Sequence, residues 1–386
     1  MLERTNHKKC FWSDAGKYLC VWSAVILLLS GCGIQAKVSG AAENTDGQAG
    51  ETAQETQAGK APWKNQESPD DQEAVKELFA MDTYMTLAAY GDRAREAVDA
   101  AAVEIQRLEG LLSTGDSESE LSKVNREGRG TLSKDTAALT ERSLELYQET
   151  KGIFNIAVYP VMRAWGFTDG SYRVPSQEEL TQLLSLTNAR KIKFDRDLAQ
   201  ISFGREGMEI DLGGIAKGYT SNRIMEIFRE YGVKSGLVNL GGNVQALGTK
   251  TDGSLWRVSI LHPENTERYA GILSIEDCAV VTSGGYERCF EKDGTTYHHI
   301  IDPRTGYPAD SGLESVTIVS PDGTLADGLS TSFFVMGLEK ASAYWREHQE
   351  EFEMVLMSKE GGLYVTKGIA EHFTSDYEVS VIEGNN

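Results

Sequence analysis

The sequence predicts an α+β fold, a mixed or antiparallel sheet bracketed by helices, and three observations lead there. Short strand-like runs dominate the stretch from Gly236 to Ile301. Segments with apolar residues at helical spacing lie before and after that stretch. Strand and helix signals come in blocks, whereas a doubly wound parallel sheet alternates them strictly.

Taken in order, Leu78–Tyr90 (LFAMDTYMTLAAY) predicts a first strand, interrupted by a polar Asp82-Thr83. Arg93–Leu112 predicts a helix with an Ala-rich face, and Thr136–Thr150 a second. Ser176-Gln177-Glu178-Glu179 is a capping-box pattern opening a helix to about Leu186. Ile192–Phe194 and Gln200–Phe203 flank a turn and predict a hairpin. From Glu209 the order is strand, glycine turn, helix (Ala216–Tyr231) and strand Gly236–Leu240. After Ile301 come a strand over Glu314–Val319, helices from about Leu325 and from Leu338, and strands over Met354–Met357 and Leu363–Val365. No internal repeat divides residues 75–386, which read as one unit.

The 386 residues carry 38 Lys+Arg against 58 Asp+Glu, a formal charge of −20. A chain this acidic lacks the basic face that nucleic-acid binding needs. Any anionic ligand must be held locally, by backbone N–H groups, a placed cation or a metal. Five cysteines are too few for a disulfide framework. Cys278 and Cys289 lie on neighbouring strand-like segments, where a pair and two free thiols are both open.

Residues 1–31 have the make-up of a signal peptide: Arg4, Lys8, Lys9 and Lys17, the apolar run Val21–Leu29, then Ser30-Gly31 before Cys32. The run is too short to span a bilayer, which takes about 20 apolar residues. Leu29-Ser30-Gly31-Cys32 resembles a bacterial lipobox, with Cys32 the lipidated first residue of the mature chain, palmitate among its acyl chains. The expectation is a lipoprotein held on the extracytoplasmic face of the cell membrane. Residues 32–74 then form a flexible tether, too poor in large apolar side chains to offset its ordering entropy. The catalytic body is 75–386.

Four constellations can carry chemistry. Asp211-Leu212-Gly213-Gly214-Ile215-Ala216-Lys217-Gly218-Tyr219 combines a glycine turn, a helix start and a lysine, which together suit a phosphate. Alone, the pattern reads more often as a structural strand–helix turn. Asn239-Leu240-Gly241-Gly242-Asn243 is a second double-glycine turn. Tyr297-His298-His299-Ile300-Ile301-Asp302-Pro303 places two histidines on opposite faces of a strand, one suited to a general base and the other to packing. Asp327, Ser330 and Thr331 share one face of a helix, a hard-oxygen set suited to Mg²⁺. Alone, it reads more often as an N-terminal cap.

In order and in register, these stretches resemble the FAD:protein FMN transferase family (ApbE-type flavin transferases). The matching segments are Met81-Asp82-Thr83, Ser119-Glu120-Leu121 with Asn125, Gly152 to Phe167, Asp211 to Tyr219, Asn239 to Gly242, Ser283 to Arg288, His299 to Gly306 and Ala326 to Gly337. The resemblance implies an ApbE-like, T-fold-like catalytic unit that uses Mg²⁺ and takes FAD as donor. It implies transfer of FMN to a Thr or Ser hydroxyl of an extracytoplasmic electron-transfer protein, with release of AMP. It assigns metal ligation to Asp327, Thr331 and the Ala216 carbonyl, with Ser330 where some members carry a second carboxylate. It assigns deprotonation of the acceptor to His299. Flavin and phosphate contacts fall to Met81, Thr83, Trp165, Gly166, Phe167, Asp211 and Lys217. Two departures stand out: Gly115 follows Leu112-Ser113-Thr114 where the family often has an aromatic, and Asn155 follows Phe154 where it usually has Asp. An FAD pyrophosphatase yielding FMN and AMP, and a non-catalytic flavin-binding lipoprotein, are the competing functions.

Overall fold

The computed structural model describes residues 72–385. The signal segment, Cys32 and nearly all of the expected tether lie outside the described residues.

The chain opens with β1 (Glu73–Ala80) and β2 (Thr83–Tyr90), paired antiparallel with Ala80 opposite Thr83. The interrupted strand expected over 78–90 is therefore a hairpin. Its two-residue turn is Met81-Asp82, both left-handed with φ of 49° and 59°. Such turns normally announce themselves with Asn-Gly or Asp-Gly, and neither is present.

Helix α1 (Ala94–Leu112) buries the Ala97, Val98, Ala101, Ile105 and Leu108 stripe that its periodicity predicts. A lower layer follows: α2 (Glu120–Glu127), β3 (Arg129–Thr131), α3 (Lys134–Glu149), α4 (Tyr159–Trp165), α5 (Gln177–Leu184), β4 (Ile192–Asp195) and β5 (Gln200–Phe203). Ser176 Oγ accepts the Glu179 N–H at 3.1 Å, so the capping box forms. β4 and β5 pair as the expected hairpin.

α6 (Gly213–Glu230) leads into β6 (Ser235–Leu240) and β7 (Asn243–Leu247), then β8 (Trp256–His262), β9 (Asn265–Ile275), β10 (Ala279–Gly284), β11 (Cys289–Lys292) and β12 (Thr295–His298). β13 (Leu313–Ser320), α7 (Gly323–Met336), α8 (Leu338–Glu347), β14 (Glu353–Ser358), β15 (Leu363–Thr366), β16 (Phe373–Thr374) and β17 (Val379–Ile382) complete the chain. The main sheet runs β1-β2-β6-β7-β10-β13-β14-β15-β17, antiparallel except for the parallel β15–β17 pair. Helices cover one face and the small β16-β9-β8 sheet covers the other. Alternation along the central strands serves both: Val238 and Val281 point to the helical side, Leu237 and Val280 to the β8–β9 side.

Two local expectations fail. No strand ends at Asp211. That segment joins no sheet; the Asn125 side chain holds the Ile210 backbone and the Ile156 carbonyl accepts the Asp211 N–H. The pair Gly213-Gly214 is not a turn before the helix; it is the first two residues of α6. Cys278 is a free thiol between β9 and β10, so the Cys278–Cys289 bridge does not form. Among the described residues, no helix is long and apolar enough to cross a membrane.

Candidate active site

The candidate site lies where α6 and α7 cross beneath one end of the main sheet. Gly218 makes the crossing close: a Cβ there would overlap the Gly323 carbonyl oxygen and sit 2.7 Å from Asp327 Cβ. The Gly218 N–H can therefore donate to Asp327 Oδ2 at 2.8 Å. Asp327 is only 4% exposed. Burial pushes its carboxyl up, against the pull of the Lys217 ammonium, the Gly218 N–H and the Asn243 amide. It is not a cap. Asp322 fills that role, accepting from the Thr324 and Leu325 N–H groups, and Asp327 lies a full turn further along α7.

The hydroxyls beside it divide. Ser330 is fully buried and donates to the Asp327 carbonyl at 2.8 Å, with Ser283 Oγ a further 2.8 Å away. Thr331 is half-buried, its Oγ1 held only by a long 3.4 Å contact to Ser283. The Ala216 carbonyl takes the Thr220 hydroxyl proton at 2.7 Å, which leaves it limited capacity for another partner.

Asp211 is reached from further off. Asn125 grips both backbone groups of Ile210, each at 2.8 Å, and the Asp211 N–H donates to the Ile156 carbonyl at 2.9 Å. The Asp211 carboxylate accepts the Gly213 N–H at 3.1 Å, and desolvation raises its pKa. The Ser119–Asn125 segment thus supports the site: Ser119 caps α2, and α2 presents Asn125.

A second wall carries His299. Asp302 receives Arg304 through both carboxylate oxygens and closes the turn Asp302–Gly306. His299, at the head of that turn, donates its backbone N–H to the Arg288 carbonyl at 3.0 Å. Its ring Nδ1 meets the same oxygen at 3.2 Å. A carbonyl only accepts, so the proton sits on Nδ1 and Nε2 keeps a free lone pair. Burial, with the Arg288 and Lys217 cations adding, pulls this imidazole down to about 3. It is neutral at any ordinary pH. His298 turns the other way, bonded to the Ala309 carbonyl at 3.1 Å and edge-on to Phe334.

The Trp165-Gly166-Phe167 segment lines the same wall unevenly. Phe167 meets the His299 ring edge-on at 6.4 Å. Trp165 is fully buried behind it and donates Nε1–H to the Gly306 carbonyl at 2.7 Å, bracing the His299 turn. Gly166 ends α4 in the left-handed conformation. Met81 and Thr83 stand on the hairpin at the opposite rim. Met81 Sδ lies 3.8 Å from Thr220 Oγ1, and Thr83 rests on Gly241.

Three groups escaped sequence reasoning. Glu287 acts electrostatically with Lys217, Arg288 and Asp327, and burial pushes its carboxyl up to about 7. Asn243 is 1% exposed beside Asp327, and its Nδ2 makes no well-formed hydrogen bond. Arg288 reaches Asp82 at 3.9 Å. All three sit in or beside double-glycine motifs; the tertiary fold brings Glu287 and Asn243 toward Asp327, while Arg288 stays exposed.

Taken together, carboxylates at Asp211, Glu287 and Asp327 outnumber the cations Lys217 and Arg288. A doubly charged pyrophosphate would add anion beside these acidic groups, which burial already makes reluctant to ionise. Among the described residues no three His, Cys, Asp or Glu side chains converge as a metal cluster. Asp327 and the Thr331 hydroxyl still fit a magnesium ion, which takes one or two carboxylates and completes its shell with phosphate oxygens, while the Asn243 N–H₂ steadies the Asp327 carboxylate and ligates nothing.

Fold and site define a class: an α+β protein whose two central helices meet at a buried carboxylate, with Lys217 acting on both that carboxylate and an anchored neutral histidine. The chain belongs to the ApbE family, whose model matches residues 81–356. It is 35% identical over 286 residues to the FAD:protein FMN transferase of Treponema pallidum, covering 69% of this chain and 79% of that one. With the FAD:protein FMN transferase of Klebsiella pneumoniae it shares 35% over 259 residues, 66% and 80% of the two chains. Among solved structures, the ApbE protein of Thermotoga maritima superposes with a TM-score of 0.74 at 30% identity, over 78% of this chain and 99% of that one. The apo flavinyl transferase ApbE of Pseudomonas stutzeri gives 0.70 at 26% identity, over 80% and 98%.

Proposed function

We propose that this protein is a Mg²⁺-dependent FAD:protein FMN transferase that moves FMN from FAD to a Thr or Ser hydroxyl of an extracytoplasmic electron-transfer protein. The observation that carries this reading is His299. Its Nδ1 is committed to the Arg288 carbonyl, its ring is neutral, and it lies within electrostatic reach of Lys217, which also acts on Asp327.

Asp327 and Thr331 would hold Mg²⁺, which supplies charge against the pyrophosphate, and the Ala216 carbonyl, already taking the Thr220 hydroxyl, is the weakest candidate ligand. Ser330 supports from behind, its hydroxyl holding Ser283 and the Asp327 backbone. Lys217 adds charge at the same end. The acceptor hydroxyl gives its proton to His299 Nε2 as its oxygen bonds to the FMN phosphorus. The bond from that phosphorus to the bridging oxygen breaks, and AMP leaves with the electron pair. Positioning and electrostatics carry most such transfers. Met81, Thr83, Phe167 and Asp211 would border the flavin, with Trp165 and Gly166 shaping that wall.

The test is mass spectrometry of a candidate acceptor after incubation with FAD, Mg²⁺ and this protein. The expected result is covalent FMN on one Thr or Ser, lost with chelator and reduced about a hundredfold or more in Asp327→Asn. Free FMN and AMP with no labelled acceptor would favour the pyrophosphatase. Intact FAD after hours with Mg²⁺ would favour a binding protein. Anchoring through Cys32 on the outer face belongs to the same proposal, and a Cys32→Ala chain that stays in the membrane fraction would refute it.

A further inference from the structure

Two hairpin turns stand side by side at the cleft end of the main sheet, because β2 pairs with β6. The β6–β7 turn is Gly241-Gly242, with φ of 63° and 97°. Left-handed backbone costs glycine nothing. The β1–β2 turn has the same two-residue form but is built from Met81 and Asp82, for which that conformation is unfavourable. Such a turn persists only if its surroundings hold it.

One group does so from outside the hairpin. Glu109, near the end of α1, accepts the Met81 N–H on Oε1 at 2.7 Å. Met81 packs at the junction of the two helical core clusters, so a shift there would be felt on both sides. Thr83 fits against Gly241 so closely that a Cβ at 241 would overlap its Oγ1 and sit 2.7 Å from its Cβ. The turn also borders the cleft electrostatically, since Asp82 acts on both Arg288 and Asp211.

We infer that Glu109 is a positioning residue for dinucleotide binding: its carboxylate locks the left-handed Met81-Asp82 turn that forms one rim of the flavin site. Glu109 touches neither substrate nor the reacting atoms. It acts through the Met81 amide, so its loss should weaken FAD capture and leave the chemical step nearly intact. The inference rests on the flavin-transferase reading of this cleft.

The experiment measures FAD affinity by flavin fluorescence, together with KM, kcat and melting temperature, in Glu109→Ala, Glu109→Asp and Glu109→Gln. Ala removes the acceptor and Asp withdraws it by one methylene, and both should raise the FAD Kd and KM about tenfold, with kcat within about twofold. Gln keeps an acceptor oxygen at the same reach and should stay within about threefold of the parent. In the Ala background, Asp82→Gly should recover some of the affinity, because glycine adopts the turn unaided. If Ala fails to fold, the Asp and Gln pair decides alone. FAD affinity unchanged in Ala or Asp would overturn the inference, as would Gln binding as poorly as Ala. If the parent protein binds no FAD at all, it is the flavin reading that falls.

Discussion

The two walls of the cleft are built on opposite plans. The α6–α7 wall is made by the closeness of backbones, with Gly218 against Gly323 and Asp327 sealed beneath them. The His299 wall is made of rings: Trp165, Phe167, Phe290 and Tyr297 pack one against another behind the imidazole, at centroid separations of 5.2–6.3 Å. One wall has no slack, because a peptide cannot yield to a methyl group. The other can repack, since side chains move more easily than main chain. The α6–α7 wall should therefore be intolerant of small changes, and the His299 wall tolerant of ring changes that spare His299, the Trp165 brace and Gly166, where a Cβ would overlap the Ser171 backbone.

The largest test of that contrast is Gly218→Ala. The added methyl must force the two helices apart, and the expected cost is roughly 2–4 kcal/mol, with FMN transfer abolished. Thermal melting and labelling of an acceptor check both. A variant as stable as the parent would mean the crossing is looser than its contacts imply.

Next comes His299→Gln. The glutamine can keep a hydrogen bond to the Arg288 carbonyl but cannot take a proton, so kcat should fall about a hundredfold to ten-thousandfold with stability little changed. The pH dependence sharpens this. The folded imidazole titrates near 3 and its unfolded counterpart near the ordinary 6.5. Between those values the unfolded chain binds the extra proton, so this group makes stability fall as pH drops from about 6.5 toward 3 and has no effect above. Its basic form is not lost until pH approaches 3. In a Glu287→Gln background, which removes the group titrating near 7, kcat/KM should stay level from pH 7.5 to 5.5. An acid limb centred near 6.5 would show that the imidazole is solvated and that this wall is open.

How much of this was legible in the sequence follows the same division. Local signals were read well: the Ser176 cap, the β4–β5 hairpin and the 3.6-residue stripe of α1 are decided within a few residues. The two histidines do face apart, His298 toward the Ala309 carbonyl and His299 toward the Arg288 carbonyl, although β12 ends at His298 and strand alternation alone does not set His299. The hairpin at Met81-Asp82 was missed because its turn is held from α1, 28 positions away, and no turn residue marks it. The apolar-flanked run into Asp211 reads as a strand, yet Ile210 is paired by the Asn125 amide and the Asp211 N–H by the Ile156 carbonyl, partners distant in sequence. The double glycine at 213–214 reads as a turn, whereas it forms the first two residues of α6, and the Asp211 carboxylate is what crowds Gly213. Motif recognition gathered the right stretches without saying which wall each would build. Gly218 sat inside a motif, but only the approach of α7 gives its missing side chain a purpose.

The smallest expected effect concerns an ion pair that joins the rims. Arg288 on the ring-built side meets Asp82 on the hairpin at 3.9 Å, and the two side chains are 44% and 83% exposed. At that distance and exposure solvent and salt screen the attraction, so Asp82→Asn should change stability by about 0.5 kcal/mol or less. The arginine's backbone matters more than its charge, because its carbonyl orients His299 whatever the side chain does. Arg288→Ala should therefore preserve kcat to within a few-fold, and any loss of FAD affinity should shrink as salt rises. A stability loss of about 2 kcal/mol or more in Asp82→Asn, on the order expected for a desolvated pair, would mean that the walls are clamped together. Slack in one could then no longer be considered apart from rigidity in the other.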